Sequence, residues 1–267
     1  MKKGVLSTAI LILVFLVGLS LLLYPTVSDY WNSLHQSRAI TEYAEEVANL
    51  DNHMDEKLWA DAQAYNEKLF QTQHSLFLTE DEWPEYRAQL NVSGNGIIGY
   101  IEIAKVNCTL PIYHGTDESV LQIAVGHMEG SSLPVGGEST HCVLSGHRGL
   151  PSARLFTDLD QLTEGDTFVL RVLNKTLTYE VDQILIVKPY EVDALAIEEG
   201  RDYCTLVTCT PYGINSHRML VRGHRIENQE EAKSVRVTAD ALQIEPVMVA
   251  PLVAVPMLLA LLIALLI

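Results

Sequence analysis

Two long uncharged runs stand near the ends of the chain. GVLSTAILILVFLVGLSLLLY covers residues 4–24 and follows Lys2 and Lys3, while PVMVAPLVAVPMLLALLIALLI covers residues 246–267. Each run is as long as the roughly 20 residues that a helix needs to cross a bilayer. The first run exceeds the roughly 7–15 apolar residues of a signal peptide and lacks an A-x-A-like cleavage site, which favours an uncleaved anchor over residues 1–24. The lysines predict a cytoplasmic N-terminus, so the chain between the two spans is expected outside the cell.

The region after the first span has the pattern of a helical arm over residues 25–71. Apolar residues recur there at spacings of three, four and seven, with charged and amide residues between them: Ile40, Tyr43, Ala44, Val47, Leu50, Met54, Leu58, Tyr65 and Leu69. A polar, loop-like stretch follows over residues 72–96, with a Trp-Pro pair and glycines near its end. We interpret it as a lid or linker.

From residue 97 the pattern changes to short β-branched runs bounded by Gly, Pro, Asn and Asp. The predicted strands are 97–103, 108–113, 141–147, 166–173, 177–187, 204–209 and 218–223. Seven or eight short strands in one domain are typical of a closed or nearly closed barrel. The sequence therefore predicts a mainly β catalytic domain over residues 97–227, a linker over 228–245 and a C-terminal membrane segment over 246–267.

The net charge and the cysteines limit the classes of function that the chain can have. The formal net charge of −16 argues against a nucleic-acid partner. Four cysteines, Cys108, Cys142, Cys204 and Cys209, allow two disulfides outside the cell, but their spacings favour free thiols with at least one reactive member. A zinc site is disfavoured because the odd separation of Cys204 and Cys209 sends them to opposite faces of one strand, and we expect no metal.

Cys209 is the candidate nucleophile. It closes an apolar run in TLVTCTPYG, just before a Pro-Tyr-Gly turn. A thiol acts as a nucleophile only as a thiolate, so it needs a neighbour that accepts its proton or stabilises its charge. His147, in LSGHRGLP at the end of an apolar strand, is the best candidate, and His114 and His127 have similar settings that spacing alone does not exclude.

The same chemistry needs a cation or hydrogen-bond donor for the negative charge that develops on an acyl oxygen. Arg218 and Arg222 project from one face if the returning segment is a regular strand, and Arg218 is nearest the turn. The residues alone thus predict a membrane-held β domain with a Cys–His–Arg site, in which the histidine and the arginine remain open.

Three segments resemble the class C sortases, the pilus-assembling transpeptidases of Gram-positive bacteria. They are TLVTCTPYGINSHRMLVRGHR (205–225), the stretch from LPIYHGT to QLTEGD (110–166), and GYIEI (99–103). The resemblance implies a closed eight-stranded sortase-type β-barrel, preceded by helices and a lid loop and held by a transmembrane helix at each end. It also implies that His147, Cys209 and Arg218 are the catalytic residues.

The implied reaction is transpeptidation without a metal or organic cofactor. Cys209 is expected to cleave an LPXTG-like sorting signal between Thr and Gly and to form a thioester, which a pilin lysine amine then resolves. The alternatives are a housekeeping sortase that attaches proteins to cell-wall precursor, simple hydrolysis by water, and a non-catalytic module that binds partners or scaffolds pili.

Many class C sortases carry an Asp-Pro-aromatic lid motif whose side chains occupy the active site. The corresponding stretch here is TEDEWPEY (79–86), which departs from that motif. Asp81 and Trp83 are our predicted lid anchors. The alternative is a mobile loop whose tryptophan packs on the surface of the domain.

Overall fold

The barrel and its helices are seen in a computed structural model, which describes residues 2–72, 76 and 78–228. The helices are α1 (Lys2–Ala48), α2 (Asn52–Gln71), α3 (Trp83–Ala88) and α4 (Glu118–Leu121). The strands are β1 (Ile97–Ile103), β2 (Cys108–His114), β3 (Val125–His127), β4 (Thr140–Ser145), β5 (Thr167–Val172), β6 (Lys175–Val187), β7 (Asp202–Thr210) and β8 (His217–Ile226).

The eight strands form a closed barrel in the order β1-β2-β3-β4-β7-β8-β6-β5. Closure gives every strand two neighbours, so no strand edge is left open. The β2–β3 and β4–β7 pairs are parallel, and the other six are antiparallel. Apolar side chains such as Ile101, Phe168 and Leu206 are fully buried in the core. The predicted fold class, a closed eight-stranded barrel preceded by helices, is confirmed.

Seven strands lie where the sequence pattern predicts them, within a few residues at each end. The eighth, β3, has only three residues, which is too short to show an alternating pattern. Its conformation depends on its partners, since it pairs in parallel with β2 and antiparallel with β4.

Helix α1 is long and apolar enough to cross a membrane. Its most apolar 18-residue window has a mean hydropathy of 2.6, and no residue of that window is buried in the protein. Residues up to Ser33 belong to a compact unit distinct from the unit that holds the barrel and begins at Leu34. The predicted C-terminal span over 246–267, and residues 229–245 of the predicted linker, lie outside the described residues.

The predicted helical arm consists of the last turns of α1 and the whole of α2. Residues 49–51 separate the two helices, and Asp51 caps α2 by accepting a hydrogen bond from the Met54 amide at 2.6 Å. Farther along α2, the buried Asn66 side chain donates to the Leu133 carbonyl at 3.1 Å and accepts from the Leu133 amide at 2.7 Å. One asparagine thereby satisfies both polar groups of a buried backbone unit.

Replacing Asn66 with alanine is expected to lower the free energy of unfolding by about 1–3 kcal/mol, because the Leu133 amide loses its Asn66 partner and the Leu133 carbonyl keeps only the Val135 amide. Denaturant unfolding of the purified chain measures this change. Gln63→Ala, on an exposed position of the same helix, is the matched control and should have a much smaller effect. Equal effects of the two substitutions would contradict the assigned role of Asn66.

Candidate active site

The parallel ladder between β4 and β7 places His147 beside Cys209. The last pair of this ladder is Ser145 with Val207. His147 lies two positions after Ser145, and Cys209 lies two positions after Val207. Hydrogen bonds continue the contact past the ladder: the Gly146 amide donates to the Val207 carbonyl at 3.0 Å, and the Thr208 hydroxyl donates to the Gly146 carbonyl at 2.8 Å. The two residues therefore leave the barrel side by side, at the same end.

Arg218 is the direct partner of Cys209 across the antiparallel β7–β8 pair. Directly opposed residues on an antiparallel pair project from the same face, with Cβ atoms about 4.5–5.5 Å apart. The Arg218 guanidinium donates through Nη1 to the carbonyls of Asn215 at 3.3 Å and His217 at 3.1 Å. These contacts with the turn hold its cationic group next to the thiol strand.

The other candidate arginine and histidines have different surroundings. Arg222 donates to both Asp182 oxygens at 3.0 and 3.1 Å and lies 4.1 Å above the Tyr203 ring. His114 and His127 are adjacent in the β2–β3 register and pack under α3. The structure therefore brings His147, Cys209 and Arg218 to one end of the barrel and places the alternatives elsewhere.

The loop after His147 packs against the turn after Cys209. Gly149 has a positive φ of 76°, and a Cβ at this position would lie 2.9 Å from the Tyr212 ring. The Arg148 guanidinium lies 5.9 Å from the centre of the same ring. Glycine is thus required for the close approach that joins the histidine loop to the cysteine hairpin.

Glu118, at the start of α4, is a charged residue of the site that the sequence patterns did not indicate. Its Oε2 atom lies 3.9 Å from Nε2 of His147. The two residues come from different elements, and no spacing rule relates them. In the sequence, the one indication of Glu118 is that an acidic pair, Asp117 and Glu118, follows the Gly-Thr turn of IYHGTDES.

An apolar cluster lies next to the candidate nucleophile along β7. It contains the buried residues Val143, Leu195, Val207 and Leu220, and it is covered by the partly buried Leu76, Met128, Leu185, Val187 and Ala194. Leu76 comes from the predicted lid segment. That segment therefore contacts the barrel close to the strands that carry Cys209 and Arg218.

The predicted lid segment contains a helix, α3, that the sequence pattern did not predict. Pro84 stands in the first turn of α3, where its missing amide hydrogen costs nothing. Trp83 packs edge-on against Tyr86 and lies close to Gly115, with the Arg87 guanidinium 4.8 Å from its ring centre. Asp81 is exposed in the turn before α3.

Tyr86 anchors α3 to the barrel through a buried polar network. Its hydroxyl lies 2.8 Å from Nδ1 of His127 and accepts the Gly115 amide at 2.9 Å. Nε2 of His127 lies 2.8 Å from the Ser132 carbonyl, which only accepts, so Nε2 carries the hydrogen and Nδ1 accepts from Tyr86. Burial raises the pKa of Tyr86 well above its usual value, which keeps the phenol a donor.

His114 packs edge-on against Tyr86 with ring centres 4.9 Å apart. Burial lowers the pKa of His114 from 6.5 to about 4, and His127 acts in the same direction. The neutral ring is therefore the form that the folded protein holds at neutral pH.

All four cysteines lie in the described part of the chain and are free thiols. Cys142 and Cys204 are buried and paired in the β4–β7 register. Burial raises the pKa of Cys108 to about 12, so this thiol is not ionised at neutral pH. Cys209 is partly exposed at the end of the barrel, where a substrate can reach it.

Comparison with known proteins agrees with this architecture. Residues 101–226 match the family model of the sortase domain. Sortase C1 of Streptococcus agalactiae is 52% identical, with a TM-score of 0.71, and the match covers 72% of this chain and all of that one. Sortase C of Streptococcus pneumoniae, whose structure was reported with insights into pilin substrate specificity, is 44% identical at a TM-score of 0.64, covering 72% of this chain and 97% of that one.

Sortase C of Clostridium perfringens, solved with the C-terminal cell wall sorting motif, is also 44% identical, with a TM-score of 0.64 and coverage of 72% of this chain and all of that one. Among curated sequences, Sortase D of Bacillus subtilis is 32% identical over 131 residues, which is 48% of this chain and 63% of that protein. The chain thus spans less than two thirds of this curated relative.

The chain belongs to the sortase family, as a class C sortase. Sortases are cysteine transpeptidases, so the chain is an enzyme.

Acid is expected to destabilise the fold through His114. Its folded-state pKa of about 4 lies below 6.5, so the unfolded chain binds a proton first as the pH falls, and stability is lost between pH 6.5 and pH 4. The loss amounts to about 3 kcal/mol at roughly 1.4 kcal/mol per pKa unit.

Denaturant unfolding across this pH range tests the expectation. His114→Asn should lose less free energy of unfolding on acidification than the wild type, whereas His53→Asn, at an exposed position on α2, should follow the wild type. An unchanged pH dependence in His114→Asn would refute the assignment.

Proposed function

We propose that the chain polymerises pilus subunits. Cys209 cleaves an LPXTG-like sorting signal between Thr and Gly, and the acyl group passes to a lysine amine of a second pilin. The observation that carries this proposal is the strand register, which brings His147, Cys209 and Arg218 together at one end of the barrel. The family membership and the neighbours solved as sortase C support it.

Each residue has a distinct role in the first half of the reaction. The Cys209 thiolate attacks the Thr carbonyl carbon, and Arg218 donates hydrogen bonds to the oxyanion or to the backbone of the signal. His147, as an imidazolium, protonates the departing glycine amine. The products are a thioester on Cys209 and a free C-terminal fragment.

In the second half, the lysine amine attacks the thioester and releases the Cys209 thiolate. The product is an isopeptide bond between two subunits. The thioester conserves the free energy of the cleaved peptide bond, so neither half of the reaction calls for a cofactor. Residues 97–227 carry this chemistry in our proposal.

We also propose that the catalytic domain works on the outer face of the cell membrane. Residues 1–24 serve as the N-terminal anchor, and residues 25–71 serve as the arm that joins it to the barrel. The long apolar N-terminal helix supports this arrangement. The proposed second span over 246–267 and its linker over 228–245 rest on the sequence pattern.

Covalent labelling by substrate tests the function. We expect the full chain, incubated with an LPXTG peptide, to gain the mass of the N-terminal peptide fragment as a thioester, and Cys209→Ala to gain none. Cys108→Ala is the control, because burial keeps that thiol protonated and it should leave the adduct in place. Equal labelling of Cys209→Ala would refute the proposal. Adding a pilin lysine donor then separates transfer from hydrolysis.

Residues 72–96 form the lid in our proposal, with Asp81 and Trp83 as its anchors. Trp83 packs close to Gly115, three positions before Glu118, which supports a role for this side chain near the site. Leu76 of the same segment packs on the apolar cluster that contains Val207, two positions before Cys209.

Replacing Asp81 and Trp83 together with alanine is expected to speed the labelling of Cys209 by a thiol reagent, because the lid loses its contact with the Gly115 turn. The rate is followed by mass spectrometry of the peptide that contains Cys209. Trp59→Ala, a tryptophan on α2 that stacks with Lys175, is the matched control. An unchanged rate in the double variant rejects these two residues as lid anchors.

A further inference from the structure

The carboxylate of Glu118 stands at the solvent side of the candidate catalytic histidine. The Glu118 side chain is 73% exposed and the His147 side chain 28%, with 3.9 Å between Oε2 and Nε2. The other carboxylate oxygen, Oε1, accepts a hydrogen bond from the side-chain amide of Gln122, the residue that follows α4. Gln122 thus orients Glu118 so that its second oxygen faces the imidazole.

Once His147 has given its proton to the departing amine, this carboxylate has no paired cation in the described part of the chain. The cation next to His147 in sequence, Arg148, is ion-paired with Asp160. Among the described residues, no lysine or arginine forms an ion pair with Glu118. A negative charge therefore remains available beside Nε2 of His147.

We propose that Glu118 binds the ammonium group of the acyl acceptor, so that a primary amine enters the site between Glu118 and His147. This inference rests on the proposed function, because it concerns the second half of the same reaction. It assigns an acceptor site that recognises a cationic amine such as a lysine side chain.

The path of the acceptor follows from that of the leaving group. In the first half-reaction, His147 gives its proton to the departing amine, so that amine leaves along the histidine side of the carbonyl. The second half-reaction is chemically the reverse, since another amine attacks the same acyl carbon. The incoming amine therefore arrives past His147 and gives its proton to that imidazole.

The observed distance suits one nitrogen placed between the two groups. At 3.9 Å, Glu118 and His147 are too far apart to share a direct hydrogen bond. A nitrogen about 2.8 Å from both atoms would subtend an angle of roughly 90° between them, which an ammonium group can accommodate with two of its hydrogens. The third N–H bond of the ammonium group then points away from the protein.

The protons balance over the cycle. The lysine ammonium loses one proton to water, which frees the amine to attack. The amine forms the new C–N bond as the C–S bond to Cys209 breaks, and the proton released from the new amide nitrogen goes to His147, which regenerates the imidazolium. The departing glycine amine takes up one proton from His147 and one from water, so solvent gives and receives one proton per turnover.

Competition between a charged and an uncharged nucleophile tests the acceptor site. The full chain in detergent is acylated with an LPXTG peptide, and the thioester is resolved either by Nα-acetyl-lysine amide, a cation, or by hydroxylamine, which is uncharged at neutral pH. We expect Glu118→Gln to lower the ratio of kcat/KM for the lysine probe to that for hydroxylamine about two- to fivefold, the range that corresponds to an exposed charge pair. Glu118→Lys should lower the ratio further, and added salt should move the wild type towards Glu118→Gln.

Asp117→Asn is the matched control. Asp117 is the neighbouring exposed carboxylate and makes no side-chain cap on α4, so removing its charge should leave the ratio near that of the wild type. An unchanged ratio in Glu118→Gln overturns the acceptor site, and so does an equal loss with both nucleophiles, which would make Glu118 only a positioning residue for His147. If hydroxylamine releases no hydroxamate from the wild type, no thioester forms and the proposed function itself fails.

Discussion

The parallel ladder between β4 and β7 is the constraint on which the site depends. Six residue pairs, from Thr140–Asp202 to Ser145–Val207, fix the register of two strands that are distant in sequence. A shift of one residue would turn every side chain of one strand to the opposite face. Parallel strands need a crossover, and β5 and β6 lie within it, so His147 comes to lie beside Cys209 only when the barrel closes.

Arg218 and Arg222 show how the same side chain acquires two different roles in one strand. Arg222 forms ion pairs with Asp182 and Glu198 and covers the Tyr203 ring. Its charge is therefore neutralised by contacts that connect β6 and β7 to β8. Arg218 hydrogen-bonds only backbone carbonyls among the described residues. In a chain with a net charge of −16, the lack of a carboxylate partner leaves this guanidinium available for an oxyanion.

The sequence predicts those parts of the fold that depend on residues close together along the chain. Seven strands show β-branched runs, and the proximity of Arg218 to Cys209 follows from one short hairpin. His147 is different, because its place depends on the β4–β7 register, and only the family resemblance selected it from three histidines. Tyr86 and Glu118 were not predicted at all, since each contacts a residue that is far away in sequence. Tyr86 hydrogen-bonds His127, and Glu118 lies beside His147.

The turn between β2 and α4 connects these unpredicted features. Gly115 has a positive φ of 77°, its amide donates to Tyr86, and Trp83 packs beside it, so α3 covers one side of the turn. On the other side, Gly126 approaches the Gly115 carbonyl so closely that a Cβ on Gly126 would collide with it. Because Glu118 follows only three residues later, the position of its carboxylate beside His147 depends on how α3 docks on the barrel. The docking of α3 and the position of the Glu118 carboxylate therefore depend on the same few backbone contacts.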